Sequence, residues 1–426
     1  MRKGRMETDK KNVCSVSWNR KSLKTTVHLP ASKSISNRLL IMEALNRRKF
    51  PLKNISHADD TKLLQKLLSS EEKILDAQNA GTCYRFLTAY LTQKEGEWIL
   101  TGSERMKQRP IDTLVDALRK LGAEIKYLEK ENFPPLAIQG KKLTGSELKI
   151  DSSQSSQFVS ALLLIAPYVK DGLKLKLTGD DTSAPYINMT LKLMKYFGIK
   201  ILNANNVIEI PQQEYTPKEY SVEPDWSSAA FWYAMAALSD EAEICMPGLS
   251  AESIQGDSII ADWMKRFKVE TGFTKEGALL RHHKKSIEKK YSFHFRQHPD
   301  LAPAFFVLCS ALGVEAKFSG VKNLSIKESS RAEALKTELE KCGAKIIKVS
   351  DDEYRITPHP LTPSPRGEGE GLWSFETYND HRLAMAFAML AIPLGRVKIK
   401  NPAVVSKSYP GFWNDLRSAG FEVNFI

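Results

Sequence analysis

Two kinds of apolar segment alternate along the chain. In the first kind a short polar cluster leads into a run with no polar face. These runs are "PASKSISNRLLIMEAL" from Pro30, "NAGTCYRFLTAYL" from Asn79, "SSQFVSALLLIAP" from Ser155, "PDWSSAAFWYAMAAL" from Pro224, "HPDLAPAFFVLCSAL" from His298 and "YNDHRLAMAFAMLA" from Tyr378. The first two stand closer together than the rest, which recur roughly every 70 to 80 residues. In the second kind an amphipathic helix ends near Gly and a short strand follows. Clear copies are "VDALRKLGAEI", "LKLMKYFGIKI", "KTELEKCGAKI" and "WNDLRSAGFEV"; weaker ones are "KLLQKLLSSEEKI" and "ADWMKRFKVE". Gly122, Gly198, Gly343 and Gly420 stand where a helix stops on a residue of positive φ. Intervening stretches such as "EWILTG", "LKLKLTG" and "VKIKNP" alternate or are β-rich.

A helix that is apolar all round has to be buried. One unit of about 70 residues cannot enclose its own apolar helix, so several must share a core. Six units divide into two groups of three. The polar clusters then lie at helix N-termini, where unpaired N–H groups and the positive end of the helix dipole attract anions. The competing reading is that Ser, Asp and Asn there are plain N-caps. Caps do not require Lys33, Arg38, Arg85 and Arg382 beside them, and these four cations favour six tips converging on one cleft.

Composition narrows the picture. A chain of 426 residues exceeds one ordinary core and predicts two domains. Apolar content of 42% with 26% charged residues is that of a globular protein. No stretch approaches 18 continuous apolar residues, so no membrane span is expected, and "MRKGRMETDKK" lacks the apolar run of a secretory signal. Five cysteines without a CxxC pair fit a reduced cytoplasm, with Cys83 and Cys309 as buried, inert thiols. A net charge of +12 admits nucleic-acid binding, a site for polyanionic small molecules, or merely a basic surface. The densest basic run, "RHHKKSIEKK" from Arg281, has no interleaved aromatics for base stacking and reads as a solvated face. His294 and His298 stand four apart, but "YSFHFRQHPD" reads as strand then turn, which argues against a metal pair. "GEGEG" near Gly367 has no strand before it or helix after it, so it is no phosphate loop. No metal and no cofactor are expected.

The segments "LPASKSISNR", "NAGTCYR", "RPIDTLVDALRKLGA", "SSQFVSALL", "KESSR" and "TYNDHRLAMAFA" span nearly the whole chain. Together, and in this order, they resemble the signatures of the 5-enolpyruvylshikimate-3-phosphate synthase family. The resemblance implies an α/β fold of two similar domains, each of three β-α-β-α-β-β repeats around buried helices, an inside-out α/β barrel. The chain would cross between the domains near Pro30 and near Glu223 to Asp225. This gives a discontinuous domain of residues 1–31 and 225–426, and an inserted domain of residues 32–224. Residues 358–372, rich in Pro, Gly and Glu, are expected to form a mobile surface insertion.

The resemblance also implies an enzyme, a cytoplasmic monomer without nucleic-acid or membrane partners. It would transfer the enolpyruvyl group of phosphoenolpyruvate to the 5-hydroxyl of shikimate 3-phosphate, a step towards chorismate and the aromatic amino acids. Carried over by position, Lys33 contacts both substrates. Ser34, Arg38, Ser155, Ser156, Gln157, Ser183, Asp300, Asn323 and Lys327 hold shikimate 3-phosphate, with Tyr186 as an additional ring contact. Gly81, Arg109, Gln157, Arg331, Arg382 and Lys407 hold phosphoenolpyruvate. Asp300 is the base for the hydroxyl, Glu328 the acid at carbon, and Lys33 stabilises charge at the bridging oxygen. Read from spacing alone, Asp300 could simply cap a helix, and Glu328 with Arg331 could be a solvated i,i+3 pair.

Two departures stand out: Ser330 replaces a usually acidic residue, which loosens the expected hold on Arg331, and Ala31 stands where Gly is commoner. A rival is the enolpyruvyl transferase acting on UDP-N-acetylglucosamine, but "TGSERMKQRP" lacks that enzyme's usual Cys. A basic nucleic-acid-binding protein would instead show strongly salt-dependent binding and no turnover. A catalytically dead relative would not need the Lys, Asp, Glu and Arg set. Because Gly81 is retained, the resemblance predicts inhibition by glyphosate, weakened in Gly81→Ala through crowding. Inhibition assays giving the same sensitivity for both forms would refute this.

Overall fold

The computed structural model describes residues 12–145, 147–152, 155–179, 184–359, 361 and 372–426. The six apolar runs form helices: α1 (Lys33–Asn46), α2 (Gly81–Leu91), α3 (Ser156–Ile165), α4 (Trp226–Leu238), α5 (Ala302–Leu312) and α6 (His381–Ala388). Helix α6 buries every residue and α4 all but its last, as helices without a polar stripe must. The amphipathic segments become the helices Asp59–Leu68, Asp112–Lys120, Ala184–Tyr196, Arg331–Lys341 and Phe412–Ser418. "ADWMKRFKVE" forms only a short α turn, Ile260–Trp263, running into a 3-10 turn, Met264–Phe267. The four stop glycines have φ between 88° and 98°, which a residue with a Cβ rarely adopts.

Five sheets share one design. In the order Ile74–Asp76, Gly96–Thr101, Leu136–Gly140, Glu124–Tyr127, the first pair is parallel and the other two antiparallel. The same order and sense recur in the four-stranded sheets built around Leu173–Thr178, Glu241–Pro247, Glu315–Ser319 and Arg396–Lys400. The unit of α1 is different. Among the described residues it has only a parallel pair, Leu52–Lys53 beside Tyr220–Ser221, and lacks the antiparallel hairpin. That missing hairpin explains why the first two apolar runs lie closer together than the others.

The sheets enclose two separate cores. One contains the apolar faces of α1, α2 and α3; the other contains α4, α5 and α6 together with Cys14, Val16 and Leu23 from the start of the chain. Those N-terminal residues join the second core because Val13–Ser17 and Ser22–Thr26 complete two of its sheets. The two crossings of the chain run side by side. Ala31 bridges Pro224, the Ser32 N–H donates to Glu223 O at 2.9 Å, and the Asp225 N–H donates to Pro30 O at 2.9 Å. Gln255 clamps this hinge, donating to the Glu223 carboxylate at 2.9 Å and to Pro224 O at 2.8 Å.

The basic run from Arg281 is exposed except for His282 and Ile287, and acidic neighbours meet it: Lys284 pairs with Asp240 at 2.7 Å and Lys290 with Glu315 at 3.0 Å. Cys83 and Cys309 are fully buried, and burial pushes both thiols well above their ordinary pKa. Among the described residues no helix is long and apolar enough to cross a membrane. The expected insertion falls largely outside the described residues, at 360 and 362–371.

Candidate active site

Five of the six helix tips line one cavity between the two cores. Lys33 and Ser34 come from α1, Gly81 and Thr82 from α2, and Ser155 to Gln157 from α3. Pro299 and Asp300 precede α5, and His381 and Arg382 open α6. The sixth tip corrects the expectation of full convergence. At the start of α4, Asp225 is tied to the hinge, and Ser227 faces a smaller neighbouring pocket with Ser34, Tyr186 and Asp257. Its position is set by the chain crossing, which the spacing of apolar runs does not report.

Capping accounts for only two tips. The Ser155 hydroxyl accepts from the Gln157 N–H at 3.2 Å, and the Asp380 carboxylate accepts from the Arg382 N–H at 3.0 Å. The tips of α1, α2 and α5 have no side-chain cap.

On the first core's side the cavity is cationic. Arg85 and Arg109 are each 5% exposed, yet Arg85 Nε and Arg109 Nε and Nη1 have no hydrogen-bond partner. Burial, and for Arg85 the neighbouring Arg109, pulls both guanidinium pKa values down. Buried unpaired cations are costly, so this pair is stored binding capacity for an anion. Gly81 makes the arrangement possible: a Cβ there would lie 2.5 Å from Arg109 Nη1 and 2.6 Å from Arg85 Nη1. Lys33 donates to Asp60 at 2.8 Å. Burial works to lower its pKa, but Asp60 and Glu328 outweigh that and hold it above the ordinary lysine range. Gln157 ties two tips together, donating to the Thr82 hydroxyl at 2.9 Å. Arg38 is committed to the protein: it donates to Thr190 at 2.7 Å, Ser34 O at 2.7 Å and Ser160 at 3.1 Å, and burial brings its pKa down to about 10.

On the opposite side one guanidinium organises three carboxylates. Arg331, with a side chain 2% exposed, contacts Asp380 at 2.7 Å, Asp300 at 3.0 Å and Glu328 at 2.7 Å. The Glu328–Arg331 pair is therefore buried, not solvated, and Asp300 is no helix cap. The Ser330 departure does not loosen Arg331, because Asp380 grips it from the tip of α6. Asp300 also meets Arg382 at 3.0 Å and accepts from the Tyr186 hydroxyl across the cleft at 2.8 Å. Burial favours protonation of Asp300, but Arg382, Lys327 and Arg331 overcome it and hold the carboxyl far below its usual range. Glu328 is likewise held down against burial, chiefly by Arg331 and Arg109, with Lys33 adding to them.

Of the expected site residues, Lys33, Ser34, Arg38, Gly81, Arg109, Ser155, Ser156, Gln157, Tyr186, Asp300, Asn323, Lys327, Glu328, Arg331 and Arg382 all line the cavity. Ser183 lies outside the described residues. Lys407 does not line it; its Nζ donates to Asn379 O at 3.3 Å. Asp60, Thr82 and His381 line it without having been assigned a part, and Arg85, read from the sequence only as a cation beside its tip, lines it as well. Thr82, Arg85 and His381 sit inside the quoted tip motifs, a signal within reach. Asp60 belongs to an amphipathic helix and carries none. His381 is buried with neither ring nitrogen bonded, and burial together with Lys33 and Arg382 keeps it neutral. No group of three or more His, Cys, Asp or Glu among the described residues could hold a metal ion. His294 instead meets the Ser319 hydroxyl at 2.9 Å.

Comparison with known proteins agrees with this geometry. Residues 62–416 match the family described as EPSP synthase (3-phosphoshikimate 1-carboxyvinyltransferase). A 3-phosphoshikimate 1-carboxyvinyltransferase of Bacteroides fragilis is 46% identical over 402 residues, covering 94% of this chain and 96% of the relative. One from Haemophilus influenzae is 34% identical over 422 residues, covering 92% and 95%. The solved EPSP synthase of Acinetobacter baumannii superposes with a TM-score of 0.75 at 20% identity, covering 97% of this chain and all of that one, and so shares the fold. With its family match and these relatives, the chain belongs to the EPSP synthase family.

Proposed function

We propose that this chain transfers the enolpyruvyl group of phosphoenolpyruvate to the 5-hydroxyl of shikimate 3-phosphate, releasing phosphate. The observation that carries the reading is the buried Arg85–Arg109 pair over Gly81, which has no carboxylate partner and keeps unbonded N–H groups although Arg85 Nη1 donates to Gly81 O at 3.0 Å, set across the cavity from the Asp300–Arg331–Glu328 cluster. Two substrates bring two phosphates and two carboxylates. Such a load suits planar guanidinium groups for bidentate contacts and Lys33 as a point charge. Phosphoenolpyruvate lies over Gly81 against Arg109, Arg331 and Arg382, and shikimate 3-phosphate lies on the α1 and α3 tips with Asn323, Lys327 and the Tyr186 ring.

The chemistry is addition followed by elimination. The 5-hydroxyl oxygen bonds to the central carbon of phosphoenolpyruvate, its proton passing to Asp300, while the methylene carbon takes a proton from Glu328. The tetrahedral adduct then loses phosphate as the methyl group returns a proton. Lys33 stabilises charge at the bridging oxygen. Without ligands both carboxyls are ionised by the surrounding cations. Substrate anions offset those same cations, so once the site is filled Asp300 is basic enough to take the hydroxyl proton, and Glu328 takes up from solvent the proton that it passes to carbon and recovers on elimination. The protein acts as a cytoplasmic monomer without a nucleic-acid partner.

A coupled phosphate assay should register release only with both substrates present, and EDTA should leave the rate unchanged. Release with one substrate alone, or loss on chelation, would defeat the proposal. Arg382→Ala should lower kcat/KM by about 1.5–3 kcal/mol of transition-state binding, the worth of one charged contact; an unaltered kcat/KM would contradict its placement. Asp60→Asn removes a main support of the Lys33 charge, leaving burial opposed chiefly by Glu328. Lys33 then loses its proton at lower pH, so the alkaline limb of the kcat/KM profile should move down in pH. Superimposable alkaline limbs would rule out this role for Asp60.

A further inference from the structure

We propose that Arg105, outside the cavity lining, is a positioning residue that latches the cleft shut; this rests on the proposed function. Arg105 stands on the first core's side, one 3-10 turn (Met106–Gln108) before Arg109. Its Nη2 reaches across the cleft and donates to Ser325 O at 3.3 Å and Lys327 O at 3.1 Å. Those carbonyls belong to the segment bearing Asn323, Lys327 and Glu328. The turn Lys322–Ile326 ends there with Lys327 extended (ψ −161°), so its last carbonyls point outward to a donor from the other core.

Closure has to be reversible. The cavity, partly open to solvent, offers about 100 Å³, well below the roughly 300 Å³ at which ligand pockets begin, so the cores have to part to make room for two ligands. Each opening breaks the Arg105 contacts and each closing restores them. Among the described residues, two other side-chain hydrogen bonds span the cleft away from the hinge. Tyr186 to Asp300 uses groups assigned to the substrate site, and Ser406 to Asp59 joins the far flank. Arg105 alone among these three holds the segment carrying Glu328, and it does so from the turn that ends at Arg109. An anion that fixes Arg109 therefore also fixes the base of the latch, which couples phosphoenolpyruvate binding to delivery of Glu328.

The test uses the full chain with Arg105→Ala and Arg105→Lys. Initial rates are measured with both substrates, and small-angle scattering follows compaction during titration with shikimate 3-phosphate plus glyphosate or phosphoenolpyruvate. For Arg105→Ala, kcat/KM for phosphoenolpyruvate should fall about tenfold, as expected for loss of a charge-assisted contact. Compaction should need correspondingly more ligand, and Arg105→Lys should recover part of both. Melting of the unliganded protein should shift little, since the contact joins the cores and packs in neither. Wild-type kinetics in Arg105→Ala overturn the latch, as does a rate loss with unaltered compaction, or a rate loss matched by a general fall in melting temperature. A wild-type chain that releases no phosphate would sink the underlying function instead, whatever the variants do.

Discussion

A helix without a polar face can exist in water only if it is enclosed on every side. Helices α4 and α6 bury essentially their whole length, and no single β-α-β-α-β-β unit has the surface to do that alone. Three units pooling their helices solve the problem, with amphipathic helices and four-stranded sheets outside. The solution leaves polar chemistry one place to go, the helix ends. Five tips meet in a gap between two such bundles, where unpaired N–H groups and dipoles already favour anions.

The side chains gathered there form an alternating lattice of charge. Arg331 alone neutralises parts of Asp300, Glu328 and Asp380, while Asp300 is shared with Arg382 and Glu328 faces Arg109 and Lys33. Buried charges survive only when paired, and removing one partner typically costs about 3–5 kcal/mol. Two groups break the pattern: Arg85 and Arg109 are buried yet keep N–H groups without a hydrogen-bond partner. The site is thus complete on its carboxylate side and incomplete on its cationic side, the asymmetry that an anionic substrate fills.

Because the gap lies between separately folded cores, its geometry depends on how they are held together. The hinge is a pair of adjacent crossings clamped by Gln255, with Ala31 accepted in the position where the family more often has Gly. The opposite rim is joined by side chains that reach from one core to the other, Arg105 among them. Stable bundles with a sparse polar boundary allow motion at the site without unfolding of either core.

The order of elements was legible in the sequence because burial dictates composition. All six apolar helices and the glycine stops are local consequences of what each segment must hide. The tip motifs likewise announced Lys33, Gly81, Gln157, Asp300 and Arg382, whereas Glu328, in "KESSR", came only with the family resemblance. What the tertiary structure alone decided is pairing over distance. That α4 serves the hinge, that Asp380 replaces an acidic neighbour in holding Arg331, that Lys407 stays with Asn379, and that Asp60 supports Lys33 all depend on which elements meet. Sequence periodicity records whether a residue faces a core; only folding brings together charges that lie tens or hundreds of residues apart, and it is those encounters that set protonation and geometry in the cleft.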